Sequence, residues 1–133
     1  MDLPMHPTGA TGEPQRQVVI DILAGRFGER LSTNRTVRQQ HANTTAWHPA
    51  KAPDAVVFAR TTEEVSEVLR LCSEHRVPVI PFGTGTSLEA GMNAPFGGIS
   101  LDLGQMNAIR RVNEEDMDCG VQAGVTRKQL NTD

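Results

Sequence analysis

The sequence contains no tyrosine, one tryptophan and four phenylalanines among 133 residues. So low an aromatic content argues against a stacking platform for single-stranded nucleic acid. Basic residues do not dominate either: 13 Lys plus Arg stand against 16 Asp plus Glu, and the net charge of −3 excludes a basic surface for DNA or RNA. No run approaches the roughly 18 apolar residues that a membrane-spanning helix needs. The length allows one domain or part of a larger one.

Cysteine is also rare. Cys72 and Cys119 form neither a CxxC pair nor a disulfide framework, so we predict two buried free thiols in a reducing compartment. The segment Met1–Pro14 is rich in Pro, Gly and Thr and lacks the basic and then apolar order of a secretory signal. We predict that it is a flexible tail. A cytoplasmic location follows as an expectation, with peripheral membrane association of a full-length protein left open.

The first half of the chain predicts a βαβ unit. Apolar residues at helical spacing predict a helix over Gln15–Phe27, and the polar segment Arg30–Thr45 is interpreted as a loop or short helix. Ala55–Ala59 and Val77–Pro81 are short apolar runs typical of buried strands. Between them, Thr61 or Thr62 caps a helix whose first turn is acidic. Two strands joined by a helix in this way should be parallel.

The second half predicts further, mostly antiparallel strands, so the fold class is α+β. Gly98–Leu103 alternates apolar and polar residues, as a strand does. Ile109–Val112 and Cys119–Val121 flank a polar turn and are interpreted as an antiparallel hairpin. A final helix is expected to begin near Thr126.

A glycine-rich loop after the second predicted strand is the segment most suggestive of chemistry. It places Gly83, Gly85 and Gly91 among three hydroxyl side chains. Glycines allow a backbone to approach a ligand closely, and successive N–H groups in such a turn can bind a phosphate or pyrophosphate. The loop contains no lysine, which excludes a Walker motif, and its glycine spacing does not fit the Rossmann fingerprint. Local spacing alone therefore leaves open a glycine-rich turn without a ligand.

Several motifs in order resemble one family. Pro78–Glu89, followed by Gly98–Leu103 and Gln122–Val125, resembles the FAD-linked oxidases of the vanillyl-alcohol oxidase and p-cresol methylhydroxylase (PCMH) group. The match is most similar to the D-lactate dehydrogenase and glycolate oxidase branch. Ala52–Val57 and Thr62–Val65 fit the same pattern, and the resemblance covers roughly residues 35–131. It implies that residues 15–133 are the N-terminal part of a PCMH-type FAD-binding domain.

The resemblance also implies which residues bind FAD. The family loop wraps the FAD pyrophosphate with backbone amides, and the following turn and a later segment border the cofactor. The matching positions here are Pro81, Phe82, Gly83, Thr84, Gly85, Thr86, Ser87, Gly91, Asn93, Gly124 and Val125. Some relatives bond the flavin covalently to a loop histidine, but none occurs between Phe82 and Asn93, so FAD is expected to be held non-covalently. The sequence departs from the family at Ala90, where glycine is usual, and at Ala123, where proline is common.

The histidines are assigned no ligand role. His6 lies in the tail, His75 ends a predicted helix, and His41 and His48 flank a loop where structural or surface roles are expected. No pair has metal-ligand spacing with a third ligand nearby, so no metal site is predicted. The resemblance places the substrate-binding and proton-abstracting residues in later parts of the family's chains. We therefore expect no catalytic residue within residues 1–133.

The resemblance implies the N-terminal part of a flavoprotein oxidoreductase. Its full-length form is expected to oxidise a D-2-hydroxy acid and to pass electrons to a cytochrome, a quinone or an electron-transfer protein. The final helix has under two turns, which suggests a truncated domain that is marginally stable and self-associates. Two alternatives remain open: a standalone module that binds FAD or ADP without catalysis, and a structural domain without a ligand.

Overall fold

The computed structural model describes residues 12–43 and 45–132 of the chain. The described part contains α-helices and β-strands in a mixed arrangement, which confirms the predicted α+β class. In chain order the elements are α1 (Glu13–Phe27), β1 (Leu31–Ser32), α2 (Arg35–Gln40), β2 (Ala55–Phe58), α3 (Thr62–Glu74), β3 (Val79–Phe82), β4 (Ile99–Asp102), β5 (Ile109–Asn113), β6 (Asp118–Val121) and α4 (Arg127–Thr132), with a 3₁₀ turn at Gly28–Arg30.

A four-stranded sheet in the order β1-β2-β4-β3 forms the centre of the fold. β2 and β3 run parallel, as predicted for the βαβ unit, but β4 lies between them and pairs with both in parallel. The alternating sequence of β4 is typical of a strand with one solvated face, yet all four of its residues are buried. β4 is buried because it is a central strand with packed material on both faces. β1 closes the opposite edge antiparallel to β2.

The hydrophobic core lies between one face of this sheet and the helices α1 and α3. Val19 and Leu23 of α1 and Val68 of α3 are fully buried there against strand residues that include Val57 and Ile99. The predicted cap of α3 is confirmed, since the Thr61 hydroxyl accepts a hydrogen bond of 3.2 Å from the Glu64 N–H. α3 thus begins where its capping residue and acidic first turn predict.

The predicted hairpin is confirmed as the β5–β6 pair, which forms a separate two-stranded antiparallel sheet. This hairpin corrects one prediction. Cys72 is buried in α3 as expected, but Cys119 on β6 is exposed. Most residues of β6 are exposed, and Cys119 shares the exposure of its strand. Both cysteines are free thiols.

The amino-terminal region departs in detail from the predicted boundaries. α1 begins at Glu13 rather than Gln15, because Pro14 lies in the first turn, where its fixed φ suits a helix. Glu13 and Pro14 of the predicted tail therefore belong to α1, and residues 1–11, His6 among them, lie outside the described residues. The segment interpreted as a loop or short helix contains β1 and α2, and α2 is capped by the Asn34 side chain, which accepts from the Thr36 N–H at 2.9 Å.

Candidate functional site: a glycine-rich loop at the sheet edge

The candidate site lies at the carboxyl ends of the three parallel strands. Phe58 of β2, Asp102 of β4 and Phe82 of β3 lie side by side in register at this edge. Ligands of open sheets with parallel strands bind in the crevice outside these carboxyl ends. The glycine-rich loop leaves β3 here, so the sheet topology places it where such a ligand would bind.

The loop encloses a cavity of about 430 Å³. Eight of the predicted site residues line it: Pro81, Phe82, Gly83, Thr84, Gly85, Thr86, Ser87 and Gly91. Met92 also lines this cavity and was not predicted, because a lone apolar residue after a loop carries no sequence signal of its own. One continuous segment thus supplies the whole lining.

A second cavity, of about 470 Å³, lies on another side of the same loop. Gly83 and Thr84 line both cavities, and here they face Gly124 and Val125. Gly104 and Arg127 line it as well and were not predicted; of the residues lining the two cavities, Arg127 is the one cation. The structure thus brings the two predicted segments together around Gly83 and Thr84.

Local geometry disfavours a side chain at three of the glycines. Gly85 has a φ of +73°, and a methyl there would lie 3.0 Å from Cζ of Phe82. A methyl at Gly91 would lie 2.9 Å from Oγ of Ser87, and one at Gly124 would collide with the backbone carbonyl of Leu103. Gly85 and Gly124 are thus glycine because of local geometry, whether or not a ligand binds, whereas a methyl at Gly91 would require the Ser87 side chain to rotate.

Gly83 is different from these three. No heavy atom lies within 4 Å of the position a methyl would take there, and its φ is outside the left-handed region. The fold therefore has room for a side chain at this position, and that room belongs to the cavities that Gly83 lines. The fold does not require glycine at this position in the cavity wall. A missing side chain there would let a ligand approach the backbone closely.

The loop hydroxyls provide neutral hydrogen-bonding groups at the cavity. The hydroxyl oxygens of Thr84 and Thr86 lie 3.3 Å apart, and both residues are exposed. Ser87 Oγ accepts from the Gly91 N–H at 3.2 Å, which closes the loop on itself and leaves the Ser87 hydroxyl proton able to donate. Hydroxyl and backbone donors of this kind can bind an anion without a lysine.

Asn93, which the resemblance placed in the turn beside the flavin, lines neither of these two cavities. Its Oδ1 accepts from the Lys51 N–H at 2.5 Å and its Nδ2 donates to the Pro49 carbonyl at 3.1 Å. The side chain thus anchors the preceding loop and lines a separate cavity, together with Ala90. Ala90 has a φ of +56°, so its backbone has the conformation that a glycine favours, but its methyl does not line the 430 Å³ cavity.

Other chemistry in the described residues is limited. They include no group of three or more His, Cys, Asp or Glu side chains arranged to hold a metal ion. Among these same residues, no helix is long and apolar enough to cross a bilayer. Burial raises the pKa of the Cys72 thiol to about 11, so this sulfur is protonated and a poor nucleophile at neutral pH.

Sequence relatives point to one class of protein. The FAD binding domain family matches residues 53–133. The zebrafish (Danio rerio) protein named probable D-lactate dehydrogenase, mitochondrial, is 44% identical over 104 residues, which are 78% of this chain and 21% of the relative. Glycolate oxidase subunit GlcD of Bacillus subtilis is 47% identical over 73 residues, 55% of this chain and 16% of the relative. The chain spans about one fifth of the length of these curated relatives.

Solved structures show the same fold. A crystal structure of p-cresol methylhydroxylase with substrate bound has a TM-score of 0.78 at 26% identity, and the match covers 91% of this chain and 24% of that one. Alkyldihydroxyacetonephosphate synthase shares the fold at 21% identity and a TM-score of 0.76, covering 87% of this chain and 24% of that one. By its family match, its relatives and its fold, the chain belongs to the FAD binding domain family and matches the N-terminal part of a PCMH-type domain.

Proposed function

We propose that the loop from Pro81 to Ser87, with Gly91, binds the pyrophosphate of FAD, and that Gly124 and Val125 border the cofactor from the second cavity. Gly83 carries this proposal. It lines both cavities, and the fold leaves open space where its side chain would be. Backbone N–H groups and the hydroxyls of Thr84, Thr86 and Ser87 are the donors that would hold the phosphates. Arg127, which lines the second cavity, would offset part of their charge.

FAD is held non-covalently in this proposal. The loop from Phe82 to Asn93 contains no histidine, cysteine or tyrosine side chain that could bond to the flavin. His41 is buried beside the loop, but its two ring nitrogens lie at hydrogen-bonding distance from Val37 and Asp102. Release of intact FAD when the loaded protein is denatured is the expected result, and flavin that stays attached to the polypeptide would contradict it.

The wider activity we propose is oxidation of a D-2-hydroxy acid by the longer protein to which this segment belongs. The names of the zebrafish and Bacillus relatives support this class of substrate. The bound flavin would supply the redox chemistry, and this segment would bind and orient it. No residue within 1–133 is proposed to be catalytic. A cytochrome is a suitable electron acceptor because an Arabidopsis thaliana relative is named D-lactate dehydrogenase [cytochrome], and a quinone or electron-transfer protein is the alternative.

Calorimetric titration of the 133-residue chain with FAD, ADP and riboflavin tests the proposed site. FAD and ADP should bind because both carry the diphosphate, whereas riboflavin, which lacks it, should not. Binding of riboflavin as tightly as FAD, or no binding of ADP, would place the contacts elsewhere on the cofactor. Absence of all binding would favour a structural domain without a ligand.

Reduction of the bound flavin tests the activity. The longer protein is mixed anaerobically with D-lactate, glycolate or D-2-hydroxyglutarate, and the absorbance of oxidised flavin is followed. Bleaching by one of these acids, with L-lactate as the stereochemical control, is the expected outcome. FAD that binds but is bleached by none of them would support the alternative of a cofactor-binding module without catalysis.

A further inference from the structure

A buried histidine–aspartate pair lies directly behind the candidate cofactor site. The His41 ring lies over the row of strand ends, with its centroid 4.2 Å from the Phe82 ring and 5.8 Å from the Phe58 ring. Its Nε2 lies 2.7 Å from Oδ2 of Asp102, the residue between those two phenylalanines. His41 is 6% exposed and Asp102 9% exposed, so the contact is shielded from water.

The hydrogen bonds around the pair define its chemistry. Nδ1 of His41 lies 2.8 Å from the carbonyl oxygen of Val37, so both ring nitrogens face acceptors. These two contacts, one at each ring nitrogen, fix the orientation of the imidazole ring. The other oxygen of Asp102, Oδ1, accepts from the Gly104 N–H at 2.8 Å. Each side-chain oxygen of Asp102 therefore has its own hydrogen-bond partner.

The contacts of His41 and Asp102 reach both of the segments that line the proposed cofactor site. On one side, His41 packs on Phe82, and Cζ of Phe82 lies 3.0 Å from the position that a Cβ atom at Gly85 would take. On the other side, Asp102 accepts a hydrogen bond from the Gly104 N–H. The carbonyl carbon of Gly104 lies 3.0 Å from the position that a Cβ atom at Gly124 would take. Asp102 thus links the glycine-rich loop to the Gly124 segment across the end of β4.

Stability alone is a poor explanation for such a pair. Burying two polar side chains costs about as much as their mutual interaction returns, and apolar residues of similar volume often serve a core equally well. A buried pair with directed hydrogen bonds differs from an apolar contact in fixing orientation. Here the orientation that it fixes is that of Phe82 and of the Gly104 turn.

We propose that His41 and Asp102 are positioning residues that hold the two cofactor-lining segments at the separation FAD requires. Neither residue lines either of the two cavities, so the pair would act through Phe82 and Gly104. This inference rests on the proposed function, since it needs the diphosphate to bind between the loop and the Gly124 segment.

The test compares His41→Gln and Asp102→Asn with Val57→Ala in the 133-residue chain. Val57 is fully buried on β2 among the residues packed against α1 and α3, so its truncation lowers stability without touching the pair. At a temperature where all three variants remain folded, ADP and FAD affinity should fall about tenfold in the two pair variants. Affinity in Val57→Ala should stay within about twofold of wild type. The double variant should lose no more than either single variant, because the two residues act as one unit.

A measurement on the unaltered chain keeps the proposal testable if a pair variant does not fold. His41 lines neither cavity, so its ring nitrogen signals should move on ADP binding only if the pair is coupled to the loop. In nitrogen-15 spectra, the signals of both ring nitrogens should shift together with the signal of the Gly104 amide when ADP is added. If these signals do not shift, or if folded pair variants bind ADP and FAD with unchanged affinity, the positioning role is wrong. Either result would leave the proposed cofactor site unaffected. If the wild-type chain binds neither ADP nor FAD, the proposed function itself is wrong.

Discussion

Arg30 binds Glu64 through two parallel hydrogen bonds, each 2.7 Å long, from its two terminal nitrogens to the two carboxylate oxygens. Glu64 also accepts from the Arg60 N–H at 2.7 Å, so one carboxylate ties the end of the 3₁₀ turn to the start of α3. The Arg30 hydrogen bond is the main reason that the pKa of Glu64 falls from 4.5 to about 2. Arg30 thereby joins the first part of the chain to the βαβ unit.

Stability should therefore depend on the charge of Glu64 in acid. Because the folded pKa lies below the ordinary value, the ionised carboxylate stabilises the fold above pH 4.5, and the contribution is lost as the pH falls toward 2. Glu64→Gln should cost about 2 kcal/mol of unfolding free energy at pH 7. The difference from wild type should shrink steadily below pH 4.5 in urea unfolding curves. Glu63→Gln, one residue earlier in the same helical turn and exposed, is the control and should change stability little at either pH.

A methyl group at Gly83 should separate cofactor binding from folding. Gly83→Ala places a methyl group in space that the fold leaves open, so the melting temperature should hardly change. FAD affinity should fall about tenfold, because the methyl occupies the cavity wall that the diphosphate would approach. Gly25→Ala in α1 is a matched control, since a methyl there also meets no atom within 4 Å, and it should leave affinity unchanged. If the Gly83→Ala and Gly25→Ala variants bind FAD with equal affinity, Gly83 is not part of the cofactor site.

The charge of Arg127 should contribute modestly to FAD affinity. Arg127 lines the second cavity together with Gly83 and Thr84, whereas the adjacent Lys128 does not. Arg127→Gln should weaken binding about threefold at low salt, the size expected of an exposed charge pair. The loss should nearly vanish in 1 M salt, where charges are screened within about 3 Å. A similar loss in Lys128→Gln would indicate general attraction of the anion rather than a contact from Arg127.

The two thiols should react very differently. Cys119 is exposed on β6, whereas Cys72 is buried in α3 and has a pKa raised to about 11 by that burial. A chromogenic disulfide reagent at pH 8 should therefore modify one thiol per native chain and both after denaturation. Cys119→Ser should abolish the native reaction. Rapid modification of that variant in the absence of denaturant would show that the α3 face opens in solution.

Local sequence determined much of this protein. Capping by Thr61, the acidic first turn of α3 and the apolar periods of α1, β2 and β3 act over a few neighbouring residues, so they could be predicted without the fold. The glycine-rich loop was also visible as one continuous segment, and eight of its predicted residues line one cavity. Its resemblance to the FAD-linked oxidases supplied the link to Gly124 and Val125.

Tertiary structure alone decided the rest, because it depends on contacts between distant residues. Insertion of β4 between β2 and β3 buries all four residues of a strand that alternates apolar and polar side chains. Cys119 is exposed because its hairpin forms a separate sheet. His41 meets Asp102 across 61 residues of chain, and no spacing rule connects two positions so far apart. Packing across the sheet, rather than any local pattern, places this pair behind the loop.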